Sequence, residues 1–258
     1  MPASDLPLLI DTAHKAGRIA TSFVGKTAKR WDKPDGAGPV TEADMAVNDM
    51  LSRELQSARP HYGWLSEETE DGTDRLSRER VFIVDPIDGT RSFTEGANTW
   101  AHALAVAERG QVTAAVVYLP MRDLLYTAAR GQGAFLNGVP ITVSDADELE
   151  KSAILAAKPV MAGQRWVGGT CPPFKQAYRP SLAYRLGLVA QSRFDAMLTL
   201  RPSWEWDIAA GALIVAEAGG TVGNRHGAPL TFNSPDPRLD GVIAGTPAVH
   251  RALLHALA

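Results

Sequence analysis

The sequence predicts a mixed α+β fold, on the strength of three observations. Residues 81–84 are an unbroken apolar run of Val, Phe, Ile and Val, the mark of a strand buried on both faces. Residues 100–107, 112–119 and 124–129 form apolar stretches separated by short polar turns, which reads as an antiparallel meander. From residue 152 onward, short apolar runs alternate with helix-spaced ones, the order expected of an α/β arrangement.

The chain opens with an amphipathic helix over residues 6–24, where Leu6, Leu9, Ile10, Ala13, Ala16, Gly17, Ala20 and Phe23 recur at helical spacing. Residues 29–39 break every regular pattern with Pro34, Gly36, Gly38, Pro39 and a cluster of charges. They read as a loop, either a mobile cover or a plain surface connector. Thr41 and Asp44 have capping-box spacing ahead of Val47, Met50, Leu51 and Leu55, so a second helix begins there. A short apolar run then ends at Trp64-Leu65-Ser66-Glu67-Glu68, and residues 76–80 make a charged approach to the central strand. After the meander, residues 131–138 read as a loop and 140–143 as an edge strand. Polar residues 145–151 divide one unit, 1–258, into an N-terminal α+β half, 1–145, and a C-terminal α/β half, 146–258. The second half should contain strands at 152–157, 194–200 and 242–244, and helices at 181–190, 207–218 and 247–257, the last with Pro247 in its first turn. There is no internal repeat and no low-complexity segment.

A chain of 258 residues with 45% hydrophobic content has ample material for a large core. Its formal net charge of −3, with no run of Lys or Arg, offers no electrostatic footprint for a nucleic-acid polymer or a membrane surface. A small phosphorylated solute is the easier partner. The one cysteine, Cys171, excludes an internal disulfide and fits a reducing compartment; in its Thr-Cys-Pro setting it reads as an inert loop thiol. The first residues lack a secretion signal and no apolar run approaches membrane-spanning length, so the expected location is the cytoplasm.

Chemistry concentrates where the central strand ends, in Asp85-Pro86-Ile87-Asp88-Gly89-Thr90. A turn at the Pro-Ile pair aims both carboxylates and the Ile87 carbonyl at one point, a set suited to a hard cation. The Gly89 and Thr90 amides would open the next helix, where unpaired N–H groups hold phosphate. The same residues also make an ordinary turn after a strand. Asp44, likewise, is accounted for by a helix cap alone. Glu67 ends its own apolar run, and Asp207 starts a small-residue helix behind Trp206, which reads as a packing residue. Glu68 is either a support for these acids or a solvated charge, and His102 and His226 read as structural. With oxygen donors and no His or Cys in the motifs, the cation is Mg²⁺ or Mn²⁺ rather than zinc. Carboxylates about 4 Å apart repel by roughly 4 kcal/mol per pair at the dielectric typical near a protein surface, so such a site needs its cation.

Four blocks carry a family resemblance: Val40-Thr41-Glu42-Ala43-Asp44, Trp64-Leu65-Ser66-Glu67-Glu68, Asp85-Pro86-Ile87-Asp88-Gly89-Thr90, and Trp206-Asp207-Ile208-Ala209-Ala210-Gly211 with Glu217-Ala218-Gly219-Gly220. In order and separation they resemble the inositol monophosphatase superfamily of metal-dependent phosphatases, over nearly the whole chain. The resemblance implies a layered α-β-α-β-α sandwich of the inositol monophosphatase and fructose-1,6-bisphosphatase type. It also implies a homodimer, two or three Mg²⁺ per site and inhibition by lithium. Glu67, Asp85 and the Ile87 carbonyl would hold one metal, and Asp85, Asp88 and Asp207 a second. Thr90, paired with Asp44 and assisted by Glu67, would orient a metal-activated water for in-line attack on phosphorus, without a covalent intermediate. The segment 29–39 would close over the metals.

The resemblance also orders the substrates. Inositol-hydrolysing members carry a Glu in the stretch that here reads Leu198-Thr199-Leu200-Arg201. The run Arg201-Pro202-Ser203-Trp204-Glu205-Trp206-Asp207, the Leu65-Ser66-Glu67-Glu68 block and Arg91 after Asp-Gly-Thr look more like the 3'(2'),5'-bisphosphate nucleotidase branch. That branch places its arginine two positions earlier than Arg201. Phosphate and substrate contacts are expected from Gly89, Thr90, Arg91, Ser181 and Arg201. The favoured substrate is a 3'(2'),5'-bisphosphate nucleotide, with inositol 1-phosphate next and histidinol phosphate third. A binding protein without turnover is the rival class, and the complete ligand set argues against it.

Overall fold

The computed structural model describes residues 5–24, 28–32 and 38–258. In chain order its elements begin with α1 (Leu6–Phe23), β1 (Arg30–Asp32), β2 (Pro39–Thr41), α2 (Glu42–Ala58), β3 (Gly63–Ser66), β4 (Arg80–Asp88) and α3 (Thr90–Thr94). The meander follows as β5 (Ala101–Glu108), β6 (Gln111–Leu119), β7 (Leu124–Ala129), β8 (Ala134–Leu136) and β9 (Val139–Ile141). The remainder comprises β10 (Ala153–Ala156), β11 (Lys175–Ala177), α4 (Leu182–Ala190), β12 (Ala196–Thr199), β13 (Ser203–Trp204), α5 (Glu205–Glu217), β14 (Thr221–Gly223), β15 (Arg238–Leu239), β16 (Val242–Gly245) and α6 (Pro247–Ala256).

Two sheets organise these elements into five layers. A seven-stranded sheet runs β3-β4-β5-β6-β7-β8-β9, antiparallel except for the parallel pair β3–β4. A five-stranded sheet runs β11-β10-β12-β16-β14. Side chains alternate across each strand, so each sheet serves two cores. Phe82 and Val84 of β4 pack with Leu9 and Ala13 of α1 and Val47 and Leu51 of α2. Val81 and Ile83 face the other way, into a core built from α4 and α5. That same core takes Leu155, Met197 and Val242 from the second sheet, whose outer face, through Ile154, Leu198 and Ile243, packs on Val249 and Leu253 of α6. The α-β-α-β-α order is the one the resemblance implied. Gly211 permits the close approach of the two central helices, since a Cβ there would lie 2.4 Å from Leu186 Cδ1.

Several local expectations change. Within 29–39, Arg30–Asp32 and Pro39–Thr41 pair as an antiparallel ladder with Trp31 opposite Val40, so this stretch is not loop throughout; residues 33–37 lie outside the described residues. The loop expected at 131–138 contains β8, which pairs with β7 and β9. The charged approach before β4 includes a 3-10 turn, Thr73–Ser77, closed by buried Arg75 on Asp71, Asn233 and Ser234. Strands β11, β13, β14 and β15 are too short to show any alternation, and neighbouring strands decide them.

The central strand carries the feature that builds the site. Asp85 pairs with Ala103 and Asp88 with Ala101, and the register shifts between them. Pro86 and Ile87 therefore oppose His102 alone, a bulge of two residues against one. In a regular strand, residues three apart point to opposite faces. The extra residue turns Asp88 back to the face of Asp85, which is the face toward α4 and α5.

Candidate active site

Asp85, Asp88 and Asp207 come together at the end of β4 and the start of α5, with one carboxylate oxygen from each within 4.8 Å of the others. Asp85 and Asp88 are buried, and Asp207 is partly exposed. Asp85 is fixed by its own turn, Oδ1 accepting from Ile87 N at 3.0 Å. Asp88 Oδ2 accepts from Ser181 Oγ and from Ala183 N, each at 2.7 Å. The Ser181 hydroxyl in turn caps α4, accepting from Tyr184 N at 3.0 Å. Ser181, expected as a substrate contact, is engaged with Asp88 and the helix end, in a backbone conformation (φ 64°) that costs a non-glycine residue energy.

Glu67 stands one residue past β3, its N–H donating to the Val84 carbonyl at 3.2 Å, so the parallel pairing of β3 and β4 brings it beside Asp85. Burial first, and then the charges of Glu67, Asp88 and Asp207, push the Asp85 carboxyl well above its ordinary range. Asp207 moves the same way through burial, Asp88 and Glu67, while Arg201 opposes the rise. Asp88 is pushed up to about 6, chiefly by burial and against its bonds from Ser181 and Ala183. Carboxyls in this state either hold protons or neutralise one another through a cation. An all-oxygen donor set of three acids, with the Ile87 carbonyl close by, fits a metal ion of the hard type.

Asp44 joins the site from α2. Its Oδ2 accepts from Thr41 N at 2.8 Å and from Thr41 Oγ1 at 2.5 Å, completing the capping box. Its Oδ1 accepts from Thr90 Oγ1 at 3.3 Å. The two carboxylate oxygens of Asp44 thus have different partners, the helix cap on one side and Thr90 on the other. Thr90 opens α3 behind Gly89, whose φ of 95° is a conformation that favours glycine. The Thr90 hydroxyl also lies 3.2 Å from the Ile87 carbonyl, so its single proton has two acceptors. Burial, opposed by Thr41 and reinforced by Glu67, raises the Asp44 carboxyl to about 6.

A cavity of about 250 Å³ is lined by Arg165, Tyr178, Arg185, Thr199 and Arg201 among others. Arg185 is buried, stacks its guanidinium 4.5 Å over Tyr178 and donates to the Arg179 carbonyl. Burial lowers its affinity for the proton, while Tyr178 and Asp88 sustain it. The guanidinium remains cationic. Arg185 acts electrostatically on Asp88, and Arg201 on Asp207, so two cations of the cavity wall lie within electrostatic reach of the carboxylate cluster. Arg91 is exposed on α3. Arg165, Tyr178 and Arg185 were not among the expected site residues; the one available signal was Arg185, a lone cation inside the apolar run 182–190 and one turn past Ser181.

Trp206 stacks on Trp204 at 4.7 Å and 8°, packing beside Asp207. His226 pairs with Asp240 in a surface turn, and Cys171 is a half-buried thiol whose pKa burial raises. No helix among the described residues is long and apolar enough to cross a membrane.

A layered sandwich that presents clustered carboxylates beside a Thr–Asp pair is the framework of a metal-dependent phosphomonoester hydrolase. Residues 3–258 match the model of the inositol monophosphatase family, and the chain belongs to that family. It is 33% identical to the inositol-1-monophosphatase of Mesorhizobium japonicum, over 98% of this chain and 95% of that one. It is also 33% identical to the Nus factor SuhB of Escherichia coli K12, over 95% and 94%. Among solved structures, the Thermotoga maritima IMPase superposes with a TM-score of 0.82 at 28% identity, covering 96% of this chain and 94% of that one. The extragenic suppressor protein suhB of Bartonella henselae gives 0.80 at 31% identity, covering 96% of each chain.

Proposed function

We propose that the chain hydrolyses a phosphomonoester that bears a second phosphate, with a 3'(2'),5'-bisphosphate nucleotide as the favoured substrate. The observation that carries the choice is the cavity whose wall includes Arg185 and Arg201, the cations that act electrostatically on Asp88 and Asp207. Three guanidinium groups line it, and no carboxylate does so among the described residues. Its wall includes Thr199 and Leu200, from the stretch where inositol-hydrolysing relatives are expected to present a Glu. A polyol wants acceptors, whereas a second phosphate wants Arg, which binds it through paired charge-assisted hydrogen bonds.

Mg²⁺, with Mn²⁺ as a substitute, would be held by Glu67, Asp85, Asp88, Asp207 and the Ile87 carbonyl. When bound it would acidify a water and neutralise charge on the phosphoryl and leaving oxygens. With the Ile87 carbonyl among the groups that would hold the cation, Thr90 would have one acceptor fewer. Its proton goes to Asp44, and its oxygen is left to accept from the attacking water. The Gly89 and Thr90 amides would face the scissile phosphate. Asp88 owes its orientation to Ser181 and Ala183.

Rates with a 3',5'-bisphosphate nucleotide, inositol 1-phosphate and histidinol phosphate, with and without Mg²⁺, test the reading. The nucleotide should be preferred at least about tenfold in kcat/KM, about 1.4 kcal/mol. The names of the rhizobial relatives favour inositol 1-phosphate as the second reading, and a preference for it would displace the nucleotide. Arg201→Ala should lower kcat/KM for the bisphosphate about 10–100-fold, the worth of a hydrogen bond to a charged group, and leave inositol 1-phosphate nearly unchanged. Equal losses on both would remove Arg201 from the second-phosphate contact. Lithium chloride in the millimolar range should inhibit, by Li⁺ taking the position formed by Asp85, Asp88 and Asp207. Sodium chloride at matched ionic strength should not.

A further inference from the structure

His102 is the residue opposite the bulge that turns Asp88 to the side of Asp85. It is completely buried, with Trp100 and Tyr118 as ring neighbours at 5.5 and 6.4 Å. Its Nδ1 is hydrogen-bonded to the carbonyl of Pro86, a residue inside the bulge. A carbonyl only accepts, so the proton sits on Nδ1. The Nε2 is then a bare acceptor, and it has no hydrogen-bond partner among the described residues. An unmatched buried polar atom destabilises the fold, so a phenyl or aliphatic group of similar size would fill the space at lower cost. What the imidazole supplies in return is the donor to Pro86.

A bulge releases backbone groups from the ladder, and each of them needs another partner. Between Asp85 and Asp88 those groups include the carbonyls of Pro86 and Ile87. The Ile87 carbonyl turns to the Thr90 hydroxyl, on the site side. The Pro86 carbonyl turns to His102, on the core side. Opposite engagement of successive carbonyls fixes the peptide planes of the turn, and with them the directions of the Asp85 carboxylate, the Ile87 carbonyl and the Asp88 carboxylate. We propose that His102 is a positioning residue for the metal centre: a latch beneath the Asp85–Asp88 turn that holds the bulge in its ligating geometry. It touches neither substrate nor metal. It acts through Pro86.

The proposal concerns metal affinity, so it is tested by binding of Mn²⁺ to the full chain, with free Mn²⁺ followed by electron paramagnetic resonance. His102→Asn keeps an N–H donor near the position of Nδ1, and His102→Leu has the same branching without the donor. Leu should weaken Mn²⁺ binding about 10–100-fold, the usual cost of losing a group that orients a metal ligand, while Asn should stay close to wild type. Thermal midpoints measured alongside separate this from loss of fold. Equal affinities for the two variants, whether both tight or both weak, would overturn the latch. A second measurement needs no variant. In ¹⁵N-histidine-labelled wild type, His102 should show the Nδ1–H tautomer, and its resonance should shift as Mg²⁺ fills the site. An Nε2–H tautomer, or a resonance indifferent to Mg²⁺, would overturn the proposal.

Discussion

Asp85→Asn is expected to lower turnover at least about a thousandfold, roughly 4 kcal/mol of barrier, while raising the thermal midpoint measured in EDTA. Both effects come from one feature. Asp85 is buried, and the charges of Glu67, Asp88 and Asp207 add to the cost of ionising it. Asn keeps the shape and can still accept from Ile87 N, so the turn survives. What it loses is the charge expected to bridge two cations; what it removes is repulsion among the acids. The pH dependence gives the sign. Asp85 and Asp88 have folded pKa values raised above the ordinary carboxylate value of about 4, so in their ionised form they oppose folding. Metal-free protein should therefore lose stability as pH rises from about 4 through about 6, the Asp88 value, with Asp85 extending the loss further. Divalent cation should restore it. In Asp85→Asn the slope in EDTA should flatten. Activity within about tenfold of wild type would contradict the bridging role.

How much of this was legible in sequence depends on where each residue's placement is decided. Asp85 and Asp88 are visible because an apolar run that stops on acids, Pro and Gly reads as a buried strand with a polar tip. The bulge is not, because register belongs to the pairing with β5 and nothing in residues 80–88 alone reveals which residue goes unmatched. His102 accordingly read as an ordinary core histidine. The cation-lined cavity was hidden for a related reason. Arg165, Arg185 and Arg201 come from a 3-10 turn, a helix and a loop that are not adjacent in sequence, and only the fold brings them to one wall. Asp207 became a candidate through its Trp-Asp block, and the packing of α5 between two sheets is what delivers it to the acids of β4. Short strands such as β13 and β15 had no pattern to show, since two residues cannot alternate.

Asp44→Asn separates what the sequence could not, because the structure gives the two carboxylate oxygens different partners. Oδ2 serves the capping box of α2 and Oδ1 serves Thr90. An asparagine has one acceptor and one donor. The Thr41 N–H can only be met by the acceptor, so the amide oxygen must take the Oδ2 position and the NH₂ must face Thr90. The cap survives, but the bond to Thr90 reverses: the hydroxyl now accepts from Asn, and no carboxylate remains to take its proton. Thr90 can then no longer accept the proton of an attacking water in the same arrangement. Turnover at saturating Mg²⁺ is expected to fall about 10²–10⁴-fold, the usual contribution of proton handling in the transition state. Mn²⁺ affinity should be retained, and so should the thermal midpoint. Asp44→Ala should instead lose both services, adding about 1 kcal/mol of destabilisation from the missing cap. Burial raises Asp44 to about 6, so the wild-type rate should decline as pH falls through about 6 and the carboxylate takes up its proton. The residual rate of Asp44→Asn should lack that decline. If Asp44→Asn keeps its rate within about tenfold and loses only stability, Asp44 is a helix cap and the Thr90 contact carries no chemistry.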